Sequence, residues 1–78
     1  MAARSARSPQ SSPDPSTALA ELSVIADTIE RHRERVAGVA EPFLGTDRED
    51  VVQAVHEAER QLVMATRTLR RAIKTLSS

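Results

Sequence analysis

The chain has 78 residues, with eleven basic residues balanced by eleven acidic ones, no cysteine and one aromatic residue, Phe43. This length allows one small domain, and the lack of cysteine excludes disulfides and thiolate metal sites. A neutral chain without tryptophan or tyrosine has neither the global charge of a nucleic-acid-binding protein nor a stacking platform for single strands. Because a core this small is hard to stabilise alone, we expect help from another chain.

Residues 1–14 form a segment rich in serine and proline, with two arginines and almost no large apolar side chain. Such a composition cannot bury enough surface to offset the entropy of ordering, so we predict a disordered tail. It lacks the apolar stretch of a secretory signal, and no stretch of the chain is long enough to span a bilayer. We therefore expect a cytoplasmic location. The preference for arginine over lysine suggests a GC-rich bacterial genome.

The first predicted helix covers residues 15–41. Asp14 is suited to the N-cap and Pro15 to the first helical position, where its missing N–H costs nothing. Pro42 disfavours helical geometry at the preceding residue and ends the helix.

A turn is predicted over residues 42–47, followed by a second helix over 48–77. Thr46 and Glu49 have the spacing of a capping box, in which each side chain satisfies a backbone N–H of the other residue. Two long helices joined by a turn this short are expected to pack as antiparallel neighbours.

Each predicted helix carries apolar residues at steps of three and four, the spacing of a coiled-coil seam. On helix one the predicted seam comprises Leu22, Ile25, Ile29, His32, Val36, Val39 and Phe43. On helix two it comprises Val51, Val55, Ala58, Leu62, Ala65, Leu69, Ala72 and Leu76. In an antiparallel pair, the alanines of helix two would face larger residues of helix one and allow close approach.

The predicted fold is therefore all-α: an antiparallel two-helix hairpin with a disordered N-terminal tail. Acidic residues at the start of each helix and basic residues towards its end favour this orientation. The apolar stripe is broader than one pair of helices can cover, which predicts a homodimer that completes a four-helix bundle. A different partner chain that supplied the helices would serve equally.

No catalytic, cofactor-binding or metal-binding motif is present, so we predict a protein that is not an enzyme and needs no cofactor. His32 lies on the predicted seam, where we expect a partly buried histidine rather than a pH sensor. His56 lies outside the seam, and the sequence around it lacks the second histidine of a zinc-binding helix.

Helix two contains no acidic residue after Glu59, and it ends in a basic run. The residues of this predicted basic face are Arg60, Arg67, Arg70, Arg71 and Lys74. It could bind an anionic partner, although positive charge near a helix C-terminus is also favourable by itself. The predicted function is a small adaptor that binds protein through its helical surface. The alternative is a nucleic-acid-associated regulatory protein that uses this face.

Overall fold

The computed structural model describes residues 13–78, which contain two α-helices and no strand. Helix α1 spans Pro15–Ala40, a short 3₁₀ turn spans Glu41–Phe43, and helix α2 spans Glu49–Ser77. The predicted all-α class is confirmed for this part of the chain. The predicted disordered tail lies outside the described residues as far as residue 12, so it stays a prediction.

Helix α1 begins as predicted at an aspartate cap. The backbone N–H of Ser16 donates to Oδ1 of Asp14 at 3.1 Å, and the hydroxyl of Thr17 donates to its Oδ2 at 3.1 Å. Hydrogen bonds from Ser16 lower the pKa of Asp14 below its ordinary value, because they stabilise the carboxylate. Pro15 occupies the first helical turn, where its missing N–H leaves no bond unmade.

The turn after α1 differs from the predicted capping box. The Thr46 hydroxyl donates to the carbonyl oxygen of Phe43 at 2.6 Å and accepts from the backbone N–H of Arg48 at 3.1 Å. Arg48, rather than Thr46, stands at the N-cap, and its side chain makes no capping bond there. The predicted box was wrong because the Thr46 hydroxyl accepts from Arg48, which precedes α2, and not from a backbone N–H of the first turn of α2.

The two helices contact each other along a seam that keeps part of the predicted one, but each of its buried positions directly follows a predicted member. Ala26 and Ala40 of α1 and Val52 and Thr66 of α2 are its buried members. Half-buried apolar residues complete this interhelical seam: Leu19, Leu22, Ile29, Val36, Val55, Leu62, Leu69 and Ile73. Small side chains at its buried positions on α1 allow the helix axes to approach closely.

The expectation that Ala58 and Ala65 would face α1 was wrong, because both are exposed. On α1, three members of the predicted seam are also exposed: Ile25, His32 and Val39. The residue after each of these lies in the contact instead, as Ala26 and Ala40 illustrate. The remaining predicted members Leu22, Ile29, Val36, Phe43, Val51, Val55, Leu62, Leu69 and Ala72 are half-buried, whereas Leu76 is exposed.

Two ion pairs join the helices and show the order of their contacts. Asp27 accepts from Arg70 at 3.3 Å, whereas Arg33, later in α1, reaches Glu59, earlier in α2, at 3.4 Å. In these two pairs, the later residue of α1 is joined to the earlier residue of α2.

Candidate interaction surfaces

An ion network around Arg33 occupies the interhelical seam, next to the position predicted for His32. Arg33 is 23% exposed and donates to Glu30 at 2.8 Å as well as to Glu59. The bond to Arg33 is the main cause that lowers the pKa of Glu30, and the same bond raises the pKa of Arg33. Sequence analysis missed this network. The Glu30–Arg33 spacing of three residues was the available signal, because it joins side chains on one helical face.

Helix α1 exposes an apolar flank beside the interhelical seam. Ile25 is 39% exposed and Val39 is 55% exposed, and His32 lies midway between them at the same seven-residue spacing. A shallow, open depression on this flank is lined by His32, Val36 and Val39 together with Arg35. Since steps of seven return to nearly the same face of a helix, these residues form one row.

Helix α2 also has a face without a charged side chain, which runs from Val51 to Leu76. Three positions of every heptad make up this face: Val51, Ala54, Val55, Ala58, Gln61, Leu62, Ala65, Thr68, Leu69, Ala72, Thr75 and Leu76. Its members next to the seam are half-buried, whereas Ala58 and Ala65 are exposed. A solvated helical face normally carries charges, so an uncharged face of this length is typical of a contact surface.

The flanks of the two helices lie on the same side of the pair. The ion pair between Asp27 and Arg70 marks the opposite side of both helices. Ile25 precedes Asp27 by two residues, which is roughly 200° around α1. Ala65 precedes Arg70 by five residues, which is roughly 140° around α2. We define this common surface as the apolar flank; it consists of the α1 row and the uncharged α2 face.

The predicted basic face is divided by its ion pairs. Arg60 is paired with Glu57 on the same helix, and Arg70 is paired with Asp27 of α1. Arg70 therefore lies at the edge of the helix pair and not opposite the seam as expected, because it directly follows the half-buried Leu69.

The remaining cations of this face are Arg67, Arg71 and Lys74, and all three are exposed. None of them forms an ion pair with another of the residues 13–78. Together with Arg70 they line a second shallow depression. The structure thus brings four of the five predicted basic residues together, and three of those four are unpaired within the described chain.

His56 is exposed on α2, as His32 is on α1. Within residues 13–78, no group of three or more histidine, aspartate or glutamate side chains could hold a metal ion. Neither of the two described helices is both long enough and apolar enough to cross a membrane.

Comparison with known proteins finds no matching family model, no similar curated protein and no similar solved structure.

Proposed function

We propose that this protein is a non-catalytic interaction module. In this proposal the chain is an antiparallel helical hairpin that pairs with a second copy through the apolar flank and so completes a four-helix bundle. The observation that carries the proposal is the uncharged face of α2, which continues the exposed apolar row of α1 on one side of the helix pair.

The reversed order of the two interhelical ion pairs supports the antiparallel orientation. Asp27 and Arg70 are 43 residues apart in the sequence, whereas Arg33 and Glu59 are 26 residues apart. The pair that lies farther from the turn therefore joins residues that are farther apart in the sequence. This is the relation that an antiparallel pair produces. The short connection from Glu41 to Arg48 is also of the length that joins adjacent helices.

The shape of the apolar flank favours a second copy as its occupant. Large side chains such as Ile25 and Val39 project from α1, whereas α2 offers Ala58 and Ala65 at the same seven-residue spacing. A two-fold axis parallel to the helices places α1 of one copy on α2 of the other, so that large residues meet small ones twice. Such a self-complementary contact is what a two-fold dimer requires.

The size of the folded part supports the same conclusion. Only four of residues 13–78 are buried, and three of them are apolar: Ala26, Ala40 and Val52. A two-helix chain with so few buried side chains gains little from its own core. A second copy that covers the apolar flank buries additional apolar surface and so stabilises the fold.

Replacing Val39 with glutamate tests the proposal. The residue is 55% exposed, so the substitution leaves the interhelical seam intact but places a charge in the proposed dimer contact. We expect the wild-type chain to have twice its 8.5 kDa mass by light scattering at high concentration. We expect Val39→Glu to have the single-chain mass at the same concentration.

Val24→Glu is the matched control. Val24 is also on α1 and is 64% exposed, but it lies away from both the seam and the apolar flank. We expect this variant to keep the dimeric mass, and circular dichroism should show that both variants remain helical. A wild-type chain that is folded and monomeric at every concentration would overturn the proposal, as would equal loss of the dimer in both variants. If the chain bound a different protein through the apolar flank and did not self-associate, the proposed dimer would be wrong.

A further inference from the structure

The second exposed surface of α2 is a row of cations on the side away from the apolar flank. The row consists of Arg67, Arg71 and Lys74, which we call the basic row. Arg67 follows Ala65 of the apolar flank by two residues, which is roughly 200° around the helix. The two surfaces are therefore available to different partners at the same time.

The charges of the basic row are not neutralised from within α2. No acidic residue follows Glu59 in the sequence, and Glu57 is engaged by Arg60 and by Gln61. From α1, Asp27 approaches Arg70, which leaves the basic row itself without an acidic partner among the described residues. Arg67, Arg71 and Lys74 follow one another along about 10 Å of α2.

We propose that the basic row binds the phosphate backbone of duplex nucleic acid, without sequence preference. Arginine presents a planar set of donors that matches a phosphate oxygen pair, and lysine adds a point charge. Arg67, Arg71 and Lys74 line one shallow depression together with Arg70, so that four positive charges lie close to one another. Readout of bases is not part of the proposal, because contacts to phosphates carry no sequence information.

Two other anionic partners fit the surface less well. A membrane-bound amphipathic helix inserts the apolar face that lies opposite its cations, whereas here that side of α2 packs against α1 and carries the proposed dimer contact. A protein interface needs an apolar centre with few charges. Met64, which is 55% exposed, is the large apolar residue at this surface, and it lies among arginines. A phosphate backbone requires only the charges.

Acidic residues on the neighbouring helix limit the affinity. Asp27, Glu30 and Glu34 lie on α1, and the first two lie close to Arg70 and Arg33. They repel a polyanion that approaches from the α1 side, so the duplex contacts α2 alone. Binding through so few phosphates is weak and depends strongly on salt.

The test measures fluorescence anisotropy of a labelled mixed-sequence DNA duplex with the full chain at two salt concentrations. If three phosphates are neutralised, affinity should fall roughly 40-fold between about 50 mM and about 200 mM salt. The double variant Arg67→Gln with Arg71→Gln should lose most of the binding at low salt. Its mass by light scattering should stay that of the wild type, because the apolar flank is unchanged.

Arg31→Gln with Arg48→Gln is the charge-matched control, since both arginines are exposed and lie outside the basic row and outside the apolar flank. We expect this control to keep most of the wild-type affinity. Three results would overturn the proposal: no binding at low salt, an equal loss in both double variants, or tighter binding to phosphatidylserine vesicles than to DNA. The light-scattering readout separates failure of this proposal from failure of the dimer.

Discussion

Thr66 is the one buried polar side chain of residues 13–78 whose hydroxyl has no hydrogen-bond partner there. Other threonines of the helices donate to the carbonyl oxygen four residues earlier, as Thr28 does to Val24 at 2.9 Å and Thr68 to Met64 at 3.0 Å. The Thr66 hydroxyl is instead buried without a partner, which is unfavourable.

Thr66→Val should therefore stabilise the protein. Valine has almost the same shape and removes the unpaired hydroxyl, so we expect the free energy of unfolding to rise by about 1 kcal/mol. Urea denaturation followed by circular dichroism measures the change. Thr68→Val serves as the control, because Thr68 is exposed and its hydroxyl is paired. A loss of stability in Thr66→Val would contradict the placement of this residue.

Glu30 should make the stability of the protein depend on pH. Its pKa is lowered from the ordinary value of 4.5, first by the hydrogen bond from Arg33. A carboxyl with a lowered folded-state pKa contributes its full stability above the unfolded value and loses it as pH falls through the folded value. The wild-type chain should therefore lose this contribution below about pH 4.5.

The Glu30→Gln variant isolates this effect. At pH 7 we expect it to melt at a lower temperature than the wild type, and we expect the difference to shrink towards pH 3. Thermal unfolding followed by circular dichroism at both pH values measures it. Glu34→Gln is the control on the same helix, because no Glu34 salt bridge is present among the described residues. A difference that is independent of pH would show that the bond to Arg33 does not act through the charge of Glu30.

At the scale of the elements, the two glycines have opposite roles. Gly45 has a positive φ of 75°, a conformation that side chains with a Cβ rarely adopt. It lies in the connection between the 3₁₀ turn and α2. Gly38 lies inside α1, and open space surrounds the position that a Cβ would take.

Substituting alanine at each glycine should change stability in opposite directions. Gly45→Ala should destabilise the protein by about 1–2 kcal/mol, because alanine must adopt the left-handed conformation. Gly38→Ala should stabilise it by about 1 kcal/mol, because alanine has the higher helix propensity. Denaturant unfolding of the two variants side by side measures both signs. Effects of the same sign would show that one glycine has been assigned the wrong conformation.

The starts of the two helices differ in how well the local sequence predicts them. The start of α1 was predicted because Asp14 and Pro15 act within one turn of each other, and no other part of the molecule competes for them. The start of α2 was not, because the Thr46 hydroxyl donates to Phe43 and accepts from Arg48 instead of capping the first turn of α2. Both bonds depend on how the chain leaves the 3₁₀ segment.

At the scale of the whole molecule, the proposed dimer has a thermodynamic consequence. Folding that is linked to association makes the melting temperature rise with protein concentration. The wild type and Val24→Glu should both show this dependence, whereas Val39→Glu should melt at a lower temperature that is independent of concentration. A melting temperature that is independent of concentration in all three would contradict the link between folding and pairing.

The candidate surfaces could be predicted only in part. Arg67, Arg71 and Lys74 were recognised from sequence because a run without acidic residues is a local property. The division of the basic face by Asp27 could not be predicted, since that contact joins residues 43 positions apart. The apolar flank was also present in the predicted seam, but periodicity alone could not separate the residues facing α1 or α2 from those facing outwards.

The sequence by itself determined two helices, the break between them and a broad apolar stripe on each, because caps, proline, glycine and periodicity act over a few residues. Only the tertiary structure decided which edge of each stripe the helices use against each other. A stripe wider than one contact allows two alignments that differ by a single residue. Close packing at Ala26 and Ala40, with the Arg33–Glu59 pair between the helices, selects one of them. That selection leaves Ile25 and Val39 on the outside, where the proposed partner docks.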